Sequence, residues 1–362
     1  MAKGSKKWWY LPCFAVLIIY IFIVPRRIPV ETVIKPLWVN SLESNYPVIL
    51  PDFSAEENER LLPFTLGDRF GYIQNDGNFT INQTRFGYVS QSENSWAEYE
   101  ALPSSIQVMN PENEILLTIE NPKGYPLFLN NQIYIIGFDQ SYITALSPDG
   151  EELWTYDFPA PITCVDGTES FLLAGTLDGT LILLNSRGAP VFTPFEPGGS
   201  RLSVILGCAI SKDASHLAII SGIGEQRFLL LERSGDTYKV IYHEFLTSGF
   251  RRPTHIRFAD NDTKVIFERE EGIGIYSIGS RNSIKIPLRG EIVAIDNSGE
   301  DGFLFAITSQ GLSDKRFIAI RYPYLIVNEA PFKSNNAFFS RHGKQLYLGG
   351  DLLMASFKLE KN

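Results

Sequence analysis

The sequence predicts an all-β fold: a single β-propeller of seven to eight four-stranded blades, eight preferred over seven, preceded by one N-terminal transmembrane helix. Three observations carry this. Aromatic residues make up 13% of the 362 residues, with 25 Phe and 16 Tyr, and flat rings pack better on pleated strands than on helices. Few segments place apolar residues at i, i+3, i+4 and i+7, the helical signature. Short apolar runs separated by polar turns also recur at a near-constant interval, the mark of a repeat architecture.

The first element is the membrane segment. Lys3, Lys6 and Lys7 make 1–7 a short basic N-terminus, and Trp8–Val24, WWYLPCFAVLIIYIFIV, carries no charge over 17 residues. At about 1.5 Å per residue this helix just spans a hydrocarbon core. Trp8, Trp9 and Tyr10 stand at one interface, and Arg26 and Arg27 end the span. PRRIPVE follows without a small-x-small cleavage site, so an uncleaved anchor is expected rather than a signal peptide. Cys13 precedes most of the apolar run, whereas a lipid-modified cysteine would follow it. Residues 25–35 read as a linker and 36–362 as the propeller. Anchors of this kind commonly leave a short N-terminus inside. That puts a single-pass protein in the cytoplasmic (inner) membrane with its propeller facing the periplasm or extracytoplasmic space. Sequons at Asn78, Asn82 and Asn261 matter only in a eukaryotic secretory pathway.

Charge divides sharply. Beyond residue 35 the chain holds 40 acids against 26 bases, a formal net of −14. Such a body repels phosphate backbones, which argues against nucleic acid as a partner. Three cysteines make no disulfide framework. Cys164 and Cys208 lie in apolar strands, where buried inert thiols are the simpler reading and a disulfide between them the alternative.

Beyond residue 84 a four-strand unit repeats. Its first hairpin joins an apolar strand to a strongly apolar second strand through a polar turn: YVSQSENSWAEY, LFLNNQIYIIG, CVDGTESFLLAG, AISKDASHLAII, RFADNDTKVIFE, AIDNSGEDGFLFAI and FFSRHGKQLYLGG. The first apolar residues after these turns are Trp96, Ile133, Phe171, Leu217, Val265, Phe303 and Leu346, at gaps of 37, 38, 46, 48, 38 and 43 residues. Spacing near 40 with four short strands is the propeller signature. Second strands such as HLAII and FLFAI are apolar on both faces, as strands sandwiched between neighbouring blades must be. Third-to-fourth-strand hairpins repeat as IQVMNPENEILLTIE, ITALSPDGEELWTYD, TLILLNSRGAPVFT and FLLLERSGDTYKVIY. GTLDGTLILLN, with its Asp-Gly turn, reads as a near-copy of ITALSPDGEELWTYD, the corresponding outer hairpin one blade on.

The ends bear on closure. The C-terminus supplies three strands, FFS, KQLYLGG and LLMASFKL, without a fourth. Leu37-Trp38-Val39 resembles Leu153-Trp154-Thr155, an outermost strand, so Leu37–Asn40 is expected to complete the last blade and remove its open edge. Glu43–Gln83 is about one repeat long and ends in an outer hairpin, RFGYIQNDGNFTINQ. The total is seven clear blades and one eroded blade.

These repeats resemble those of quinoprotein-type (PQQ-like) propellers, whose outer hairpin ends in Trp after a Gly-containing turn. The likeness is specific in residues 127–195, and WD-repeat propellers are more distantly similar. The resemblance includes a non-enzymatic branch containing the periplasmic propeller subunit of the outer-membrane β-barrel assembly machinery. This chain departs from it in having a transmembrane anchor in place of a lipid-modified cysteine. The family's enzymes hold calcium above a quinone, and several use a vicinal Cys-Cys pair; no Cys-Cys occurs here.

Chemistry-bearing constellations are sparse. His216 and His342 sit in corresponding turns of different blades. His243 and His255 have no metal-ligand spacing around them. Gly222-Ile-Gly224 and Gly272-Ile-Gly274 lack the further glycine and helix of a phosphate loop. No catalytic residue, metal ligand or cofactor is therefore assigned. LTSGFRRPTH, Leu246–His255, joins the fourth strand of one blade to the first of the next. Phe250, Arg251 and Arg252 combine an aromatic ring with two forked cations, residue types enriched at binding hot spots. The plainer alternative pairs the arginines with Glu268, Glu270 and Glu271, with Phe250 tucked beneath. The expected function is a non-enzymatic, membrane-anchored scaffold for protein partners, within envelope or outer-membrane assembly. A quinone- or metal-dependent propeller enzyme and a small-molecule sensor are the alternatives.

Overall fold

The computed structural model describes residues 32–44, 47–49, 61–192, 194–198, 200–296 and 298–361. The basic N-terminus, the Trp8–Val24 segment and Cys13 lie outside the described residues. No helix among the described residues is long and apolar enough to cross a membrane.

Eight β-sheets form an eight-bladed propeller. Two strands, β1 (Thr32–Ser41) and β2 (Val48–Ile49), come first in the chain but belong to the last blade. Blade 1 contains β3 (Leu62–Leu66), β4 (Arg69–Ile73) and β5 (Phe79–Thr84). Blade 2 contains β6 (Tyr88–Gln91), β7 (Trp96–Tyr99), β8 (Ser105–Met109) and β9 (Ile115–Glu120). Blade 3 contains β10 (Gly124–Leu129), β11 (Gln132–Gly137), β12 (Tyr142–Leu146) and β13 (Glu152–Asp157). Blade 4 has three strands, β14 (Ile162–Gly167), β15 (Phe171–Thr176) and β16 (Leu181–Asn185). Blade 5 contains β17 (Ile205–Ile210), β18 (His216–Ser221), β19 (Arg227–Ser234) and β20 (Thr237–Phe245). Blade 6 contains β21 (Ile256–Ala259), β22 (Lys264–Arg269), β23 (Gly272–Ser277) and β24 (Asn282–Pro287). Blade 7 contains β25 (Glu291–Ile295), β26 (Phe303–Gln310), β27 (Asp314–Arg321) and β28 (Leu325–Lys333). Blade 8 joins β29 (Ala337–His342), β30 (Gln345–Gly350) and β31 (Leu353–Lys361) to β1, with β2 at its rim.

The two ends of the chain meet in blade 8. β1 runs antiparallel to β31 from Thr32↔Lys361 to Ser41↔Leu353, and begins within the stretch read as linker. The register shifts between Pro36 and Trp38, where proline has no N–H to give to a ladder.

Why the strands are apolar throughout follows from the packing. Eight hydrophobic clusters among the described residues fill the eight interfaces between blades. In β18, Leu217 and Ile219 pack toward blade 4 while Ala218 and Ile220 pack toward blade 6. Successive side chains of a strand point to opposite faces, and here both faces are core. Alternation is clear in outer strands such as β28, one face of which is wet.

One pairing of repeats is corrected. ITALSPDGEELWTYD is β12–β13, a third-to-fourth-strand hairpin, but GTLDGTLILLN is β15–β16, a second-to-third-strand hairpin. The two turns are built alike: the amide of Gly150 donates to Ser147 O (2.9 Å) and that of Gly179 to Thr176 O (3.1 Å). In each, glycine supplies the positive φ, 85° and 94°, in a longer bulged turn rather than a two-residue one. The true counterpart in blade 4 is TLILLNSRGAPVFT, whose fourth strand is reduced to isolated bridges Leu184↔Pro190 and Leu181↔Phe195. Pro190 and Pro194 lack the donors a full ladder needs.

RFGYIQNDGNFTINQ forms β4–β5, and its neighbours identify it as an outer hairpin. Trp38 donates from Nε1 to Asn75 O (2.8 Å) and packs at a tilt on Tyr347, just as Trp154 donates to Ser186 O (3.0 Å) and packs at a tilt on Tyr134. Each tryptophan thus docks on the third-to-fourth turn of the next blade.

Candidate docking site on the connection face

The ring has two chemically different faces. One, the hairpin face, carries the first-to-second and third-to-fourth turns, which are built from residues such as Ser92–Ser95, Asn110–Glu114 and Ser211–Ser215. The other, the connection face, carries the second-to-third turns and the links between blades. On it Phe86 is 94% exposed, Leu102 78% and Leu312 87%, and Leu177, Leu202 and Leu352 are exposed as well. Apart from Tyr324 in a third-to-fourth turn, the other exposed large apolar residues lie within strands or at their ends. An apolar residue at a turn tip serves no core, yet such residues are gathered on this face.

Aromatic rings continue this surface inward. Tyr88 and Tyr99 stack at 6.1 Å, Tyr99 and Tyr125 at 5.5 Å, and Phe138 meets Tyr125 edge-on at 5.0 Å. Tyr125 donates its hydroxyl to Ala101 O (2.8 Å), tying blade 3 to the turn that carries Leu102. Inside the ladder lies a cavity of about 680 Å³, lined by Tyr99, Tyr125, Leu127, Ile162 and Cys164, with Arg251 and Arg252 on its far wall. A second cavity, about 780 Å³, lies beyond that wall against Glu291 and Leu312. The Phe250–Arg252 loop is the partition between them.

The structure separates the three loop residues by their surroundings. Phe250 is held through its backbone: its N–H donates to Gln226 Oε1 (3.2 Å), and Gln226 Nε2 donates to its carbonyl (2.5 Å). Its ring packs on the cluster between blades 5 and 6. Arg252 lies 4.7 Å over that ring and forks onto Glu268 at 2.6 and 3.1 Å. Glu268 is only 1% exposed and also accepts the His255 amide at 3.1 Å. Arg251 is exposed, and among the described residues no carboxylate pairs with it. Burial pulls His255 below the usual imidazole value; Glu268 opposes this, and the Arg257 and Arg252 charges add to it. The apolar turn tips escaped sequence reasoning because a lone leucine in a turn carries no periodic signal.

Among the described residues no group of three His, Cys, Asp or Glu converges. The profile of a family described as beta-propeller protein matches residues 1–361. The chain belongs to that family. An uncharacterized protein of Treponema pallidum (strain Nichols) is 24% identical over 360 residues, covering 98% of this chain and 95% of its own. BamB from Moraxella catarrhalis superposes with a TM-score of 0.60 at 12% identity, over 90% of this chain and all of the BamB chain. Dihydro-heme d1 dehydrogenase NirN, solved in complex with DHE, gives 0.53 at 12% identity, over 75% of this chain and 61% of NirN. At such identities the likeness is one of fold.

Proposed function

We propose that this propeller is a non-enzymatic interaction scaffold, anchored in the cytoplasmic membrane by Trp8–Val24, that presents its connection face to protein partners in an envelope or outer-membrane assembly. The observation that carries the reading is the sorting of exposed apolar turn residues onto that face. A rigid ring offers such side chains at little ordering cost, which favours binding. Phe250, Arg251 and Arg252 stand beside the cavity on the same face, with Arg251 the residue free to meet a partner's carboxylate. The BamB fold supports a scaffold, and that of NirN leaves catalysis as the second reading.

Strand direction supports an orientation. Leu353 follows the second-to-third turn of blade 8, so its partner Ser41 lies at the connection face and Thr32, nine residues earlier, at the hairpin face. A chain tethered ahead of Thr32 is thus held by its polar face, with the apolar face turned away from the bilayer.

Photocrosslinking in native membranes tests this. A crosslinker at Leu102, Leu177 or Leu312 should capture discrete protein adducts, whereas one at Glu112 or Glu151 on the hairpin face should not. Adducts from the hairpin face alone would overturn the assignment of the face. A cofactor copurifying with the ring would instead support the enzyme.

A further inference from the structure

We infer that Cys164 and Cys208 form a disulfide that bolts blade 4 to blade 5 when a small-molecule disulfide reaches the cavity on the connection face. The two residues stand 44 positions apart in sequence, yet their strands, β14 and β17, lie side by side as the inner strands of adjacent blades. Both are free thiols in this structure. Cys164 packs against the hydrophobic cluster that contains Cys208, and its thiol together with burial pushes the Cys208 thiol well above the usual value.

Gly175 makes the room. It is the ladder partner of Cys164, and a Cβ there would stand 2.8 Å from Cys164 Sγ and 2.5 Å from Ile205 Cγ2. Any larger residue at 175 would wedge into the space where the sulfurs converge.

The two thiols differ in access. Cys164 lines the cavity and is reached first; Cys208 is buried behind it. The Cys164 thiolate attacks a disulfide such as oxidised glutathione, forming a mixed disulfide and releasing one thiol. Cys208, whose thiol burial and the neighbouring Cys164 hold protonated, then passes its proton to the departing glutathione sulfur as its own sulfur attacks Cys164 Sγ, releasing the second thiol. Two cysteine thiols are oxidised and one disulfide is reduced to two thiols, so the exchange balances without further reagents. The cross-link constrains the unfolded chain, and does so in blade 4, whose fourth strand is only two bridges.

The test uses the purified full chain and does not depend on where the protein resides. After incubation with oxidised glutathione, peptide mapping under non-reducing conditions should find a linked pair joining the Cys164 and Cys208 peptides, with the mass lowered by two hydrogens. Melting should rise by roughly 5 °C, and reductant should reverse it. Cys208→Ser should stop at a glutathione adduct on Cys164. A wild-type chain in which both cysteines stay open to alkylation would overturn the inference, as would one that halts at the mixed disulfide. Should Cys208→Ser fail to fold, the wild-type map decides alone.

Discussion

The indole of Trp38 lies against the α-carbon of Gly77 in the neighbouring blade: a Cβ at Gly77 would stand 2.6 Å from the ring. Trp154 meets Gly188 in the same way, at 2.5 Å. Both glycines have positive φ, 91° and 74°. Strain and collision should therefore add in Gly77→Ala, for a loss of about 2–4 kcal/mol. Gly224, φ 103° with open space around it, supplies the control, since Gly224→Ala meets only the strain, about 1 kcal/mol. Urea midpoints separate them; equal losses would refute the contact.

Closure by β1 has its own consequence. Deleting residues 36–41 strips β31 of its partner along that stretch and frees the chain ends. An unpaired edge invites association. The deletion should destabilise by roughly 5 kcal/mol or more and aggregate on heating. A variant that melts like the parent, with unchanged light scattering, would show that β1 is dispensable.

Arg251 and Arg252 are neighbours with different fates. Removing Arg252 leaves Glu268 buried with the His255 amide as its remaining hydrogen-bond donor. Arg252→Gln should cost about 2–4 kcal/mol, somewhat less than a fully enclosed pair because Arg252 is itself partly exposed. Arg251→Gln should change stability by less than about 0.5 kcal/mol while weakening partner capture. If both variants melt alike, the Glu268 pairing contributes nothing.

His255 sets a pH dependence. Its folded value is depressed by burial, so between that value and the unfolded value near 6.5 the unfolded chain binds more protons. Stability is then fully present above about pH 6.5 and lost as pH falls. His255→Asn should flatten that acid-side slope. Denaturation midpoints taken from about pH 5 to 8 measure it, and parallel wild-type and variant curves would assign the slope to other groups.

Local sequence determined the strands, the repeat and the blade type. A strand pressed between two blades must be apolar at every position, and a polar turn must follow every few residues, so both leave a trace along the chain. That is why Leu217 through Ile220 could be read as sandwiched before any neighbour was known. Tertiary structure alone decided which hairpin each Asp-Gly turn belongs to, because Gly150 and Gly179 close the same local hydrogen bonds at different places in a blade. It also decided that Arg252 is held by Glu268 while Arg251 is exposed, and that Cys164 packs against the cluster containing Cys208. The reason is common to all three. These relationships lie between strands or blades distant in sequence, and periodicity, which records only which side of its own strand a residue faces, carries no information about what stands opposite.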